Sequence, residues 1–228
     1  MKKPKLTVFD IAGTTVHDDS DVQRVLVETL GRFQLNITLE KAALLMGIPK
    51  PLAITQVYQE VNRRDPDPRF VTEIYHLFEE SMLAFYEHNE AVHEKSGASE
   101  LFETLQINGI SVYLDTGFNR RITNQVVSRM GWSRSGLING SISSDEVERG
   151  RPHADMIYRA MNLSGITDAS DVAKIGDTAS DLLEGTSAGC GWVIGVTTGA
   201  YSMEHLMDFP HTHLIDHLLE LKPLWGLA

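Results

Sequence analysis

Three apolar runs in this 228-residue chain end in acidic or hydroxyl residues, and chemistry is expected at those ends. Val8-Phe9 leads into Asp10 and then Ile11-Ala12-Gly13-Thr14. Tyr113-Leu114 leads into Asp115-Thr116-Gly117, and Ile175 leads into Gly176-Asp177-Thr178-Ala179-Ser180-Asp181. Gly150-Arg151-Pro152 adds a permanent cation just ahead of a helical stretch. Carboxylates, a hydroxyl, loop amides and one cation form a site for a divalent metal plus a phosphoryl group. Hard oxygen ligands suit Mg²⁺, and the guanidinium offsets phosphoryl charge. A carboxylate left over can be the nucleophile. Each residue alone has a plainer reading. Asp10 is then a turn former, Asp177 and Asp181 are acids facing a helix macrodipole, Arg151 is a surface charge and Thr116 a turn hydroxyl. Their order and placement point instead to one crevice.

For those ends to meet, the apolar runs must be neighbouring parallel strands. Lys5 to Asp10 reads as the first buried strand, and after Gly97 the runs Ile110 to Leu114, Val172 to Ile175 and Trp192 to Val196 alternate with helical patterns. That alternation predicts a Rossmann-like, doubly wound parallel α/β sheet with ligands outside the carboxyl ends of its strands. The stretch 17–93 reads as nearly all helix. Val22, Val25, Leu26, Leu30 and Phe33 recur at helical spacing behind the cap chemistry of Ser20-Asp21. Further helices are expected over about Leu39 to Met46, over Leu52 to Asn62 with Pro51 at its first turn, and from Phe70 to about Val92. The predicted organisation is an α/β core of 1–16 and 94–228 interrupted after its first strand by a helical insertion over 17–93.

Composition narrows the partners. Hydrophobic residues make up 42% and charged residues 22%, the balance of a soluble globular protein. Twenty lysines and arginines against 31 acidic residues give a formal net charge of −11, which argues against a nucleic-acid partner. The apolar stretches are far short of the roughly 20 residues of a membrane span. The basic start Met1-Lys2-Lys3-Pro4 lacks a signal-peptide continuation and is read as mature protein. A single cysteine, Cys190, excludes an internal disulfide and fits a reducing, cytoplasmic setting.

The order D-x-x-G-T, strand-terminal Thr-Gly, a basic residue before Pro, then G-D-T-x-x-D resembles the haloacid dehalogenase superfamily across the whole core. The resemblance implies a mobile helical cap, Mg²⁺ and an aspartyl-phosphate intermediate. It makes Asp10 the nucleophile and a metal ligand, with the backbone carbonyl of Ala12 another ligand and Asp177 a third. Asp181 becomes an outer-shell or water-mediated ligand. Thr116, with Gly13, Thr14 and Gly117, contacts the substrate's phosphoryl end, and Arg151 neutralises the nucleophile and the phosphoryl charge.

One departure is informative. Most phosphatases of this superfamily carry a second Asp where this chain has Ala12, and that acid protonates the leaving alcohol. Alanine cannot do so. A carbon leaving group needs another device, an amine that turns an adjacent aldehyde into an iminium so that the departing electrons become an enamine. Asp10-Ile11-Ala12-Gly13-Thr14-Thr15-Val16 resembles the first motif of the phosphonatase branch, the phosphonoacetaldehyde hydrolases. Met46-Gly47-Ile48-Pro49-Lys50 matches the cap segment that supplies their Schiff-base lysine, so Met46 is expected at the substrate. Gly185, Ala188-Gly189 and Thr116-Gly117-Phe118-x-Arg120 extend the likeness. Lys50 is thereby the candidate amine, and it must be partly neutral to react.

Two further departures accompany it. The histidine three residues after that lysine in phosphonatases is Ala53 here, and the acid after Gly-Thr-Thr-Val is His17. His17 is a candidate proton shuttle by its ordinary pKa; its plainer reading is a solvent-facing loop histidine. The expected substrate is a small phosphonate aldehyde. The alternatives are a small phosphate monoester, sugar phosphate or phosphoglycolate-like, and a receiver domain phosphorylated on Asp10, although receivers carry an acidic pair beside the first strand and no long insertion. Neither G-x-x-x-x-G-K-[ST] nor G-x-G-x-x-G follows a strand. His205, His211, His213 and His217 are read as a surface C-terminal segment. The methionines and aromatics of the long insertion helix are read as core or as the contact of a homodimer.

Overall fold

The computed structural model describes residues 3–228. Strand β1 (Leu6–Phe9) is followed by four helices, α1 (Asp21–Gly31), α2 (Leu39–Ala43), α3 (Lys50–Asn62) and α4 (Pro68–His88). The chain continues through α5 (Ala98–Ile107), β2 (Ser111–Thr116), α6 (Arg120–Met130), α7 (Trp132–Ser135), β3 (Gly140–Ser143) and α8 (Asp155–Ser164). It ends with β4 (Val172–Gly176), α9 (Ala179–Ala188), β5 (Trp192–Val196), α10 (Met203–Leu206), β6 (His213–Ile215) and α11 (Leu221–Leu224). The sheet has six strands in the order β3-β2-β1-β4-β5-β6, and every pairing is parallel.

Register explains the site. Phe9 of the central β1 sits opposite Leu114 on one side and Ile175 on the other. The next residues, Asp10, Asp115 and Gly176, therefore leave the sheet at one level, with Thr116 and Asp177 one step further on. Side chains alternate across the sheet. Leu6 and Val8 pack with Ile157 and Met156 of α8 on one face, while Phe9 joins Phe102 and Trp132 on the other through edge-on ring contacts at 5.3 Å. That second face continues into Leu26, Ile54, Phe78 and Met82 of the helical insertion. The two chain segments joining insertion to sheet meet as an antiparallel bridge between Val16 and Glu94. His17 and His93 stack beside it, ring centroids 4.7 Å apart.

Several expectations are corrected. The turn before α1 is capped by Asp18, whose Oδ1 accepts the N–H groups of Asp21 and Val22 at 2.9 and 3.1 Å. Ser20 contributes no side-chain bond and adopts a left-handed backbone, φ 62°. Helix α2 stops at Ala43 rather than Met46, and α4 at His88 rather than near Val92. Helix α3 starts two residues earlier than expected, so Lys50 is its first helical residue rather than part of a loop. The C-terminal histidines lie at the surface as expected, His205, His211 and His217 being exposed, although their segment also carries a strand. His213 opens the edge strand β6, and beyond it Leu221 and Trp225 are buried. Strands β3 and β6, of four and three residues, are too short for hydrophobic alternation to mark them.

Candidate active site

The loop after β1 is built to hold carboxylates. Thr15 Oγ1 donates to the Asp10 carbonyl at 2.9 Å, which tightens the turn. Thr14 Oγ1 donates to Asp177 Oδ1 at 2.9 Å, and the backbone N–H of Ala200 donates to Asp177 Oδ2 at 2.6 Å. Gly13 has φ +89°, a region favourable to glycine, and any Cβ there would collide with the Asp177 carboxylate. Asp177 is thus fixed from three directions.

Behind Asp10 lies a network of buried charges. Arg151 Nη1 is 2.6 Å from Asp10 Oδ1 and 2.9 Å from Asp181 Oδ1, its Nε is 3.0 Å from Glu184 Oε2, and its Nη2 pairs with Asp115. Lys174, in the middle of β4, pairs with Asp115 and lies 3.1 Å from Asp181 and 3.0 Å from Glu184. Asp181 also accepts from the Thr178 N–H and hydroxyl at the start of α9. Burial opposes charge on Asp115, yet Arg151 and Lys174 hold its carboxyl below the usual range. Burial and the neighbouring Asp115 push Glu184 up to about 8. Asp10 is lifted by burial to about 6 against the pull of Arg151.

In front of Asp10 is a cleft of about 400 Å³ including its mouth. The sheet side of its wall is Asp10, Ala12, Thr116, Gly117 and Asp177, and the helical side is Val22, Met46, Gly47 and Lys50. The helical side is docked tightly: a Cβ on Gly47 would strike Thr178 Oγ1, and one on Gly117 would press on the Ile48 carbonyl. Lys50 is 3% exposed and its ammonium lies 6.0 Å from the centre of the Phe78 ring. Burial pushes its pKa down to about 8, with Asp10 and Asp18 opposing that fall and Arg151 adding to it.

The residues singled out in the sequence separate into two layers. Asp10, Ala12, Met46, Lys50, Thr116, Gly117 and Asp177 line the cleft. Gly13, Thr14, Arg151 and Asp181 do not. Thr14 spends its hydroxyl on Asp177, Gly13 donates its N–H to the Val16 carbonyl, and Arg151 and Asp181 sit behind Asp10. Gly13 and Thr14 hold Asp177, which faces the cleft, and Arg151 is paired with Asp10, the residue whose charge it is expected to neutralise. His17 is exposed against His93, outside the cleft. Sequence reasoning missed Lys174, Glu184 and Asp18. A lysine between Ala173 and Ile175 in a fully buried strand was a readable signal, because such an amine must find carboxylates.

The acids fit a divalent cation. Asp10, Asp177 and Asp181 offer carboxylate oxygens all within 4.8 Å of one another. Burial, then repulsion from Asp10 and Asp181, raises Asp177 well above the ordinary carboxyl range, an excess of negative charge that a dication relieves. Asp181, with both oxygens turned to Thr178, Arg151 and Lys174, is placed to support Asp10 from behind.

Comparison with known proteins agrees with this geometry. Residues 7–195 match the family described as haloacid dehalogenase-like hydrolase. The phosphonoacetaldehyde hydrolase of Bordetella pertussis is 34% identical over 204 residues, 83% of this chain and 71% of that protein. A bifunctional phosphonoacetaldehyde hydrolase/aminoethylphosphonate transaminase of Clostridioides difficile is 30% identical over 212 residues, 87% of this chain, which spans only 32% of that longer protein. A phosphonoacetaldehyde hydrolase-like protein from Oleispira antarctica superposes with a TM-score of 0.80 over 98% of this chain and 91% of its own, at 18% identity, and so speaks for the fold alone. Among the described residues no helix is long and apolar enough to cross a membrane.

Proposed function

Because the chain belongs to the haloacid dehalogenase-like hydrolase family, we propose that it cleaves the carbon–phosphorus bond of a small aldehyde phosphonate. Asp10 is the nucleophile toward phosphorus and Lys50 the amine that activates the carbon side. The observation that carries this reading is the buried Lys50 amine, pushed down to about 8 and sharing one cleft with Asp10. An ordinary solvated lysine is almost wholly protonated near neutral pH; this one has an appreciable neutral fraction.

Each residue then has a defined task. Arg151 holds one oxygen of Asp10, which leaves the other for in-line attack. The Lys50 nitrogen adds to the aldehyde and, after loss of water, leaves an iminium that takes up the electrons of the breaking carbon–phosphorus bond as an enamine. Thr116 and Gly117, at the end of β2, line the phosphoryl side of the cleft. Asp10, Asp177 and the Ala12 carbonyl are the groups that would hold Mg²⁺, which when bound offsets the charge of the phosphoryl group and its nucleophile. The helices of 17–93 serve as a cap that shuts water from the imine, and the names of the similar Bordetella and Clostridioides proteins, phosphonoacetaldehyde hydrolases, support the substrate class.

A second reading keeps the fold and changes the substrate to a small phosphate monoester. It is favoured by Ala53, which removes the expected imidazole, and by the absence of any histidine from the described cleft lining. The deciding experiment follows acetaldehyde and phosphate release from phosphonoacetaldehyde with Mg²⁺, for wild type and Lys50→Arg, beside a panel of small monoesters. Release by wild type alone supports the imine route, since a guanidinium cannot form one. Turnover of monoesters only would sink it.

A further inference from the structure

The cleft contains a carboxylate that the route above leaves without a task. Asp18 lines it together with Asp10, Ala12 and Lys50. Its Oδ1 is pinned by the Asp21 and Val22 N–H groups, while among the described residues its Oδ2 carries no hydrogen bond. The turn is shaped for this: the left-handed Ser20 lets the chain double back so that Asp18, two residues before it, caps α1. The carboxyl is therefore tethered in the cleft wall by one oxygen, and its other oxygen has no hydrogen bond among the described residues. Position 12 is alanine and position 53 is alanine, so neither place where a proton-transfer group was expected provides one.

We infer that Asp18 is the proton-transfer group of the imine steps, an inference that rests on the Lys50 reading above. When the Lys50 amine has added to the aldehyde, the carbinolamine loses its hydroxyl as water, and the proton that completes that water comes from the Asp18 carboxyl. On the way out, a water adds to the iminium and returns a proton to the Asp18 carboxylate as the aldehyde leaves. Between these two steps the enamine left by carbon–phosphorus cleavage takes a proton on carbon from water, and the hydroxide so formed is neutralised by the proton released when water hydrolyses the aspartyl-phosphate; Asp18 gives one proton and takes one back, so the cycle balances with water alone. Burial holds the Asp18 carboxyl above its ordinary range, which favours the donating form. The charged and titratable groups around it are Asp21 and Arg24 on α1, Lys50 on α3, Tyr86 on α4 and Lys95 beyond the insertion.

The test uses Asp18→Asn, whose side-chain oxygen still caps α1, with Asp18→Ser as a second capping side chain that carries no acidic proton. Each is compared with wild type for phosphonoacetaldehyde turnover and for inactivation by borohydride in the presence of that substrate, which traps an iminium on Lys50. Asp19→Asn, on an exposed side chain outside the cleft, is the control. The expected result is a fall in kcat of about 10²–10⁴-fold with parallel slowing of trapping in both Asp18 variants, at unchanged KM and melting temperature. Wild-type kcat and trapping rate in either folded variant overturn the role of Asp18 and leave the Lys50 route standing. Wild type that borohydride does not inactivate removes the Lys50 route and this inference with it. Loss confined to monoester turnover, with trapping intact, places Asp18 on a different proton and also overturns it.

Discussion

Arg151 Nη1 lies 2.6 Å from Asp10 Oδ1 in a contact almost closed to solvent, so the cation that steadies the proposed nucleophile is a buried side chain from the turn ahead of α8 and not a mobile surface charge. The same guanidinium meets Asp115, Asp181 and Glu184. A lysine in its place has one point of charge and cannot reach Asp10 and Asp115 together. Arg151→Lys is therefore expected to lower kcat by roughly 10²–10³, the range found when one preorganised electrostatic partner is lost, with KM little altered. Steady-state kinetics beside a thermal melt check it, and a variant with full kcat would show that Asp10 needs no such partner.

Lys174 is expected to matter for stability more than its place in the middle of a strand suggests. Its three carboxylate partners are buried, and removing one member of such a set leaves uncompensated charge costing about 3–5 kcal/mol. Lys174→Met should fall in that range by urea denaturation. Adding Glu184→Gln should return part of the loss at alkaline pH, where Glu184, whose carboxyl is pushed up to about 8, is ionised and its charge is surplus. No recovery in the double variant would mean that Lys174 acts on Asp115 and Asp181 and not on Glu184.

The pH dependence follows from Lys50. Its folded pKa is about 8, below the ordinary lysine value of 10.5, and the reactive form is the neutral amine. The neutral fraction grows about tenfold per pH unit below 8 and levels off above it. In Asp18→Asn, where no second acid titrates alongside Lys50, the rate of imine trapping by borohydride should rise with pH in that way and reach a plateau above about 8. A binding role for the Lys50 cation predicts the opposite sign, with kcat/KM falling through the same window. Profiles between pH 6 and 10 separate the two.

How much of this was open to the sequence depended on how local the signal was. The ends of β1, β2 and β4 could be read because each is a buried apolar run broken by Asp or Thr, and parallel packing brings such ends together. The split of the site into a lining layer and a supporting layer could not. Whether Thr14 turns to the cleft or to Asp177 is settled by the tertiary position of Asp177, 163 residues away. Asp18 was hidden for a related reason: Ser20-Asp21 has the usual capping composition, and only the left-handed Ser20 moves the capping task, and with it the carboxylate, two residues back.

Chelation should separate a metal site from a cluster of mutually repelling acids. Exhaustive EDTA treatment is expected to abolish turnover, with Mg²⁺ restoring it. Because the ion would bind the folded state alone, the melting temperature should rise with Mg²⁺ concentration. Asp177→Asn should flatten that rise, since Asp177 is held well above the ordinary carboxyl range by burial and then by Asp10 and Asp181, and is fixed by Thr14 and Ala200. A melt insensitive to Mg²⁺ in wild type would count against the site.

Ala12 offers the sharpest test of which bond the cleft is made to break. It lines the cleft two residues beyond Asp10, where a carboxylic acid would stand beside the departing group of a phosphate monoester. Ala12→Asp should raise turnover of alkyl phosphates by tenfold or more, within the 10²–10⁴ that a well-placed general acid contributes. It should lower cleavage of phosphonoacetaldehyde, because a departing carbon gains nothing from that proton and the added carboxylate brings negative charge toward the phosphonate. Both substrates must be assayed on one preparation. If alkyl phosphates are turned over equally well with and without the new acid, their leaving group already receives a proton from elsewhere, and alanine at this position no longer argues for carbon–phosphorus cleavage.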